Sequence, residues 1–169
     1  MRKHNGMRPQ DIAILLKIAA KKDSPWTMKE LASELFISAS EVSESLARNV
    51  YSGLLQADKR KIMKTDFLNF LKSGLKFVFP AKVTSIGRGM TTAYSAKPLE
   101  SLIQSSDKVV WSYAKGKEKG MVIEPLIPSI PKACEIDSTF YELIALTDAL
   151  RIGKVREQNL AFEELNKRL

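Results

Sequence analysis

Apolar positions recur at helical spacing through most of this chain, and a few short stretches switch to strand-like composition. Ile12, Leu15, Leu16 and Ala19 share one face and predict a first helix over 9–20. Pro9 suits its first position, where a missing N–H costs nothing. The polar run before Pro25 ends it, because proline disfavours helix in the preceding residue. Leu31, Ala32 and Leu35 predict a second helix over 28–35. Ala39, Val42, Leu46 and either Asn49 or Val50 predict a third over 39–52. Phe67, Leu68, Leu71 and Leu75 give a fourth, with Thr65 as N-cap and Gly74 near its end. Stretches 75–80 (LKFVFP), 91–95 (TTAYS), 109–113 (VVWSY) and 121–124 (MVIE) have strand composition. The last two flank a solvated turn over 114–120, which predicts a hairpin. The segment 81–90, with Gly87-Arg88-Gly89 near its tip, reads as a loop. Pro125, Pro128 and Pro131 punctuate an irregular connector. Asp137 then caps a helix over 138–151, Gly153 ends it, and a last helix over 154–169 completes a helical hairpin with one apolar side. That side either covers the protein's own core or forms a dimer interface.

The best-specified stretch is 27–55. Thr27 and Ser38 each precede a glutamate by three residues, Glu30 and Glu41, which is the capping-box spacing. Each box has an apolar staple pair, Trp26 with Leu31 and Ile37 with Val42. Two helix starts this close leave a connection of about one to three residues. After Gly53, Leu54 to Ala57 and Ile62 to Lys64 can pair around a polar turn, 58–61, with a basic tip. On these residues (LASELFISASEVSESL, then GLL) the chain resembles the winged helix-turn-helix domain of bacterial transcription regulators, including the MarR-like group. The resemblance covers roughly 7–64. It implies a third helix that reads DNA, a wing that grips the backbone, and a dimer that spans paired half-sites. Two stretches compete for the wing, 54–64 and 76–95.

The expected fold is therefore mainly α with small antiparallel β hairpins: a winged helix-turn-helix domain over 1–97 and a C-terminal extension with a helical hairpin over 98–169. At 100° per residue, Ser40, Glu44 and Arg48 fall opposite Val42 and Leu46, flanked by Ser43. These residues, with Ser38 at the helix start, are placed nearest the bases. Serine can donate or accept, Glu44 can accept from a cytosine amino group, and Arg48 can pair with guanine or phosphate. Glu44 works against a basic reading face.

Charge sharpens this picture. The net charge is +8 over 169 residues, and its placement matters more than its size. Residues 59–97 hold nine Lys/Arg and one acid, whereas the segments on either side are nearly balanced. Such clustering beside a helix pair suits phosphate binding. Lys59, Arg60, Lys61 and Arg88 are assigned to the DNA backbone.

Catalytic chemistry finds no support. Cys134 is the only cysteine and His4 the only histidine, placed in a frayed N-terminus. No disulfide framework, metal centre or cofactor is expected. Gly116 to Gly120 lacks the spacing of a phosphate loop. Nothing fixes Glu124, Glu142 or Asp148 as a working pair, and Trp111 and Tyr113 at strand spacing suit a core better than a ligand pocket. Lys17 interrupts the first apolar run, which reads as an amphipathic helix and not a signal peptide. The expectation is a cytoplasmic, non-enzymatic, DNA-binding regulator acting on double-stranded DNA as a homodimer. The alternative is a protein-interaction adaptor or antitoxin-like module that docks through the winged helix, with 98–169 available to a protein partner.

Overall fold

Helix α1 (Pro9–Lys21) runs through the middle of the protein, and Asp11 to Ile18 are all buried. A helix buried all round must be covered on more than one side. Helices α2 (Met28–Leu35) and α3 (Ala39–Tyr51) pack on it from one direction, and α7 (Ser138–Ile152) packs on it as well. The structure, a computed structural model, describes residues 6–169. His4 lies outside the described residues.

The α2–α3 pair is built as its sequence dictates. The Thr27 N–H donates to Glu30 Oε2 at 2.6 Å and the Glu30 N–H to Thr27 Oγ1 at 3.2 Å. The Ser38 N–H donates to Glu41 Oε2 at 2.8 Å and the Glu41 N–H to Ser38 Oγ at 3.2 Å. Phe36, at φ 54°, turns the chain between the helices, and the Ile37 N–H closes back on the Ala32 carbonyl at 3.0 Å. Just after α3, Leu55 pairs with Ile62 in a minimal antiparallel bridge. The Gln56 and Met63 N–H groups extend it, donating to Lys61 and Leu54 carbonyls at 2.9 Å. The first of the two candidate wing stretches thus forms a short hairpin.

Helix α4 (Lys64–Ser73) ends at Gly74 and continues almost at once into α5 (Leu75–Val78), where a strand was expected. Leu75 seats fully buried in the core, and helical hydrogen bonds from Val78 and Phe79 back to Gly74 and Leu75 satisfy the backbone locally. Packing outweighs β propensity here.

Strand β1 (Val83–Thr91) replaces the expected loop over 81–90. It pairs antiparallel with β2 (Val109–Ser112) through Gly89–Thr91 and with β3 (Glu118–Ile123) through Val83–Gly89. β2 and β3 are therefore parallel to each other, not the two arms of a hairpin. The sheet is small, three-stranded and mixed. Its glycines serve close approach: a Cβ on Gly89 would lie 1.7 Å from the Trp111 carbonyl oxygen. The Gly-Arg-Gly motif thus marks tight strand packing, not a loop tip.

The proline-punctuated connector contains a short helix, α6 (Ile130–Glu135), with Pro131 in its first turn. α7 is capped by Asp137, whose Oδ1 accepts from the Phe140 N–H at 2.9 Å. α8 (Val155–Arg168) folds back on α7 and on α4. Residues Leu143 to Leu150 of α7 are all buried, and Ala161 and Leu165 of α8 join the same core. The apolar side of this hairpin covers the protein's own core. One hydrophobic cluster runs from Ile12 to Leu165, and β1 pairs with strands beyond residue 98. The core cluster and the sheet thus both draw on residues from either side of residue 97. Mainly helical with a small mixed sheet, the architecture is α+β. No helix among the described residues is long and apolar enough to cross a membrane.

Candidate nucleic-acid interface

The N-terminal half of α3 presents a solvent-exposed face. Ser40 and Glu44 are exposed, and Ser43 is half-buried. Ser38 is exposed, but its hydroxyl is engaged in the cap with Glu41. The hairpin base is tied to the end of α3, because the Leu54 and Leu55 N–H groups both donate to the Asn49 carbonyl, at 3.0 and 3.1 Å. Lys61 is exposed and Lys59, at φ 60°, is half-buried. Arg60 is committed elsewhere: one terminal nitrogen donates to the Trp26 carbonyl at 2.7 Å, and the guanidinium stacks 4.6 Å from the Trp26 ring centre.

Arg48 does not lie on this face. Its side chain is buried and points back to α1. Nε donates to Asp11 Oδ2 at 2.9 Å, and a terminal nitrogen donates to Asp11 Oδ1 at 2.7 Å. Asp11 is fully buried. Asn49 Nδ2 adds a bond to the Asp11 carbonyl at 3.2 Å. The helical wheel placed Arg48 outward by angle alone, but a long arginine stem flanking the buried stripe reaches inward to an acid that needs a partner. The exposed face of α3 consequently carries serines and Glu44 with no free cation of its own.

Arg88 sits within β1, exposed, directly opposite Lys119 of β3. The sequence assigned it to a flexible tip; the structure holds it on a strand.

The hairpin also borders an open groove of about 1230 Å³ between the α1–α2 turn, the start of α7 and the end of α8. Lys22, Arg60, Lys61, Lys64, Lys167 and Arg168 line it. Lys167 and Arg168 pair with Glu164, and Arg168 also with Glu142. Among the described residues Lys22, Lys61 and Lys64 make no ion pair. This concentration of charge draws on both ends of the chain, so no window of sequence displays it.

Two further ionic clusters are structural. Lys17, only 1% exposed, places Nζ 2.5 Å from Asp137 Oδ2 and 2.8 Å from Glu34 Oε2, and so joins α1, α2 and α7. Burial alone would raise both carboxyls. Hydrogen bonds from Lys17, helped at Glu34 by Lys21 and at Asp137 by the Phe140 N–H, outweigh it and hold both below ordinary carboxylate values. The buried Asp148 carboxylate accepts from Trp111 Nε1 at 2.7 Å, Thr92 Oγ1 at 2.9 Å and Arg151 at 2.7 Å. Burial pushes this carboxyl up against the opposing pull of those three donors. Trp111 is fully buried and belongs to the core. Burial also pushes the Cys134 thiol well up, which favours its protonated form. Among the described residues no group of three or more His, Cys, Asp or Glu is placed to hold a metal ion.

No protein-family model, no curated protein and no solved structure matches the chain.

Proposed function

We propose that this chain is a DNA-binding regulator that sets the exposed N-terminal half of α3 against DNA and grips the backbone through the Leu54–Met63 hairpin. The observation that carries this reading is the placement of a cationic hairpin at the end of a doubly capped helix pair, with α3 exposed from Ser38 to Glu44 apart from Val42 and the half-buried Ser43. Lys59 and Lys61 hold phosphates. The unpaired lysines of the adjoining groove add to the same positive field. Selectivity rests on Ser40, Ser43 and Glu44, because Arg48 is engaged with Asp11. The experiment is binding to the DNA upstream of the protein's own gene, against random DNA, at several salt concentrations. Counterion release predicts a steep fall in affinity with salt. A flat salt response, or equal affinity for random DNA, overturns the regulator reading.

A second reading is favoured by the charge of that same face. Arg48 is held by Asp11 and its other terminal nitrogen lies 3.7 Å from Glu44, so the outer surface of α3 offers hydroxyls and a paired Glu44 and no free cation, which suits a protein surface better than a phosphate backbone. On this reading the helix pair docks a protein, as an adaptor or antitoxin-like module would. A stoichiometric partner that co-purifies and survives high salt favours it.

A further inference from the structure

The β1–β3 ribbon carries a charge arrangement that its own fold does not explain. Arg88 and Lys119 are direct cross-strand partners, and both are exposed. Side chains directly opposite on one face lie about 4.5–5.5 Å apart at Cβ, and like charges there destabilise the sheet. Among the described residues neither Arg88 nor Lys119 makes an ion pair. Glu118 is the nearest acid along β3, but strand alternation sends it to the other face, and it is bonded to Lys108 at 2.5 Å. Two residues before Arg88, on the same face, Ile86 is 71% exposed. Lys82 and Lys117, just outside the strands, are exposed as well, and among the described residues neither makes an ion pair.

The geometry points to this ribbon face as a second binding surface for a nucleic-acid backbone, separate from α3 and the Leu54–Met63 hairpin, an assignment that rests on the DNA-binding reading. A partner with closely spaced negative charges removes the Arg88–Lys119 repulsion that the free protein carries. Ile86, Arg88 and Lys119 are all exposed along the strands, which suits an extended row of phosphates and not a small anion. The exposed apolar side chains of β1, Ile86 at 71% and Val83 at 50%, offer too little to insert into a lipid surface but can pack against a sugar edge.

The test compares three full-length proteins on the same duplex: wild type, the pair Arg88→Gln with Lys119→Gln, and the pair Lys59→Gln with Lys61→Gln. Affinity is measured from about 0.05 to 0.2 M salt, the range over which counterion release is resolved. Each pair should weaken binding and lower the logarithmic salt slope by about 1.8, at roughly 0.9 per lost phosphate contact. The ribbon pair should also melt no lower than wild type, because it removes a repulsion, which separates lost binding from lost folding. If the ribbon pair binds with wild-type affinity and slope while the hairpin pair is weakened, the ribbon assignment falls and the DNA reading stands. If wild type itself binds no duplex, both fall together. Retention on phosphatidylserine-containing vesicles that the ribbon pair abolishes, with DNA binding unchanged, would replace this partner by a membrane surface.

Discussion

Arg48 and Asp11 meet where neither reaches solvent freely, so each makes the burial of the other tolerable. Removing one member of such a pair leaves an uncompensated buried charge, at a cost of about 3–5 kcal/mol. Arg48→Ala and Asp11→Ala should each lose that much in urea unfolding, and the double variant should lose clearly less than their sum. A base-reading Arg48 would behave oppositely, with wild-type stability and an altered sequence preference. The Lys17 cluster makes a second prediction at this scale. Glu34 and Asp137 bind protons less readily folded than unfolded, so they stabilise the protein at neutral pH. That stabilisation fades as the pH falls through the ordinary values of 4.5 and 3.8 and is gone below the lower folded-state values. Unfolding free energy measured from pH 7 to 3 should fall across this window, and Lys17→Met should flatten the fall. Neither cluster was legible in the sequence. Asp11 pairs with Arg48 across 37 residues and Lys17 with Asp137 across 120, and periodicity carries no information about such partners.

Among the elements, those defined by local chemistry were legible and those defined by packing were not. The starts of α2, α3 and α7 are set by Thr27, Ser38 and Asp137, whose side chains satisfy backbone donors within three residues. Thr27→Ala and Ser38→Ala should each cost about 1 kcal/mol, and the costs should add nearly fully, because the two caps share no partner. Thermal unfolding of the two single variants and the double checks this; a much larger loss in the double would mean that the caps are coupled. By contrast, LKFVFP has strand composition yet forms α5, since Leu75 is drawn into a core that the local sequence does not describe. Gly87-Arg88-Gly89 looks like a mobile tip yet lies within β1, since Gly89 admits the neighbouring Trp111 backbone. The candidate site divides in the same way. Ser40 and Glu44 are exposed as the helical angle predicts and Ser43 is half-buried, whereas Arg48 is buried because its reach exceeds what an angle describes.

At the scale of the molecule, the helix pair shares one hydrophobic core with the C-terminal half of the chain. α1 is buried from Asp11 to Ile18 because α7 covers a side that α2 and α3 leave open, and β1 finds its partners only in β2 and β3. A fragment of 1–97 would expose that side of α1 and strip β1 of every ladder hydrogen bond, while retaining both capping boxes. Such a fragment should show local helicity without a cooperative unfolding transition, measured by circular dichroism against temperature and urea. A sharp two-state transition near that of the full chain would mean that the N-terminal part holds its own core. The result bears on function as well as folding. The cations of the groove come from the α1–α2 turn, the hairpin and α8, so the positive field around the hairpin forms only when both ends of the chain are packed together. If the fragment lacks cooperative structure, the C-terminal part is not an appended module: it is what holds α3 and the hairpin in position to meet a partner.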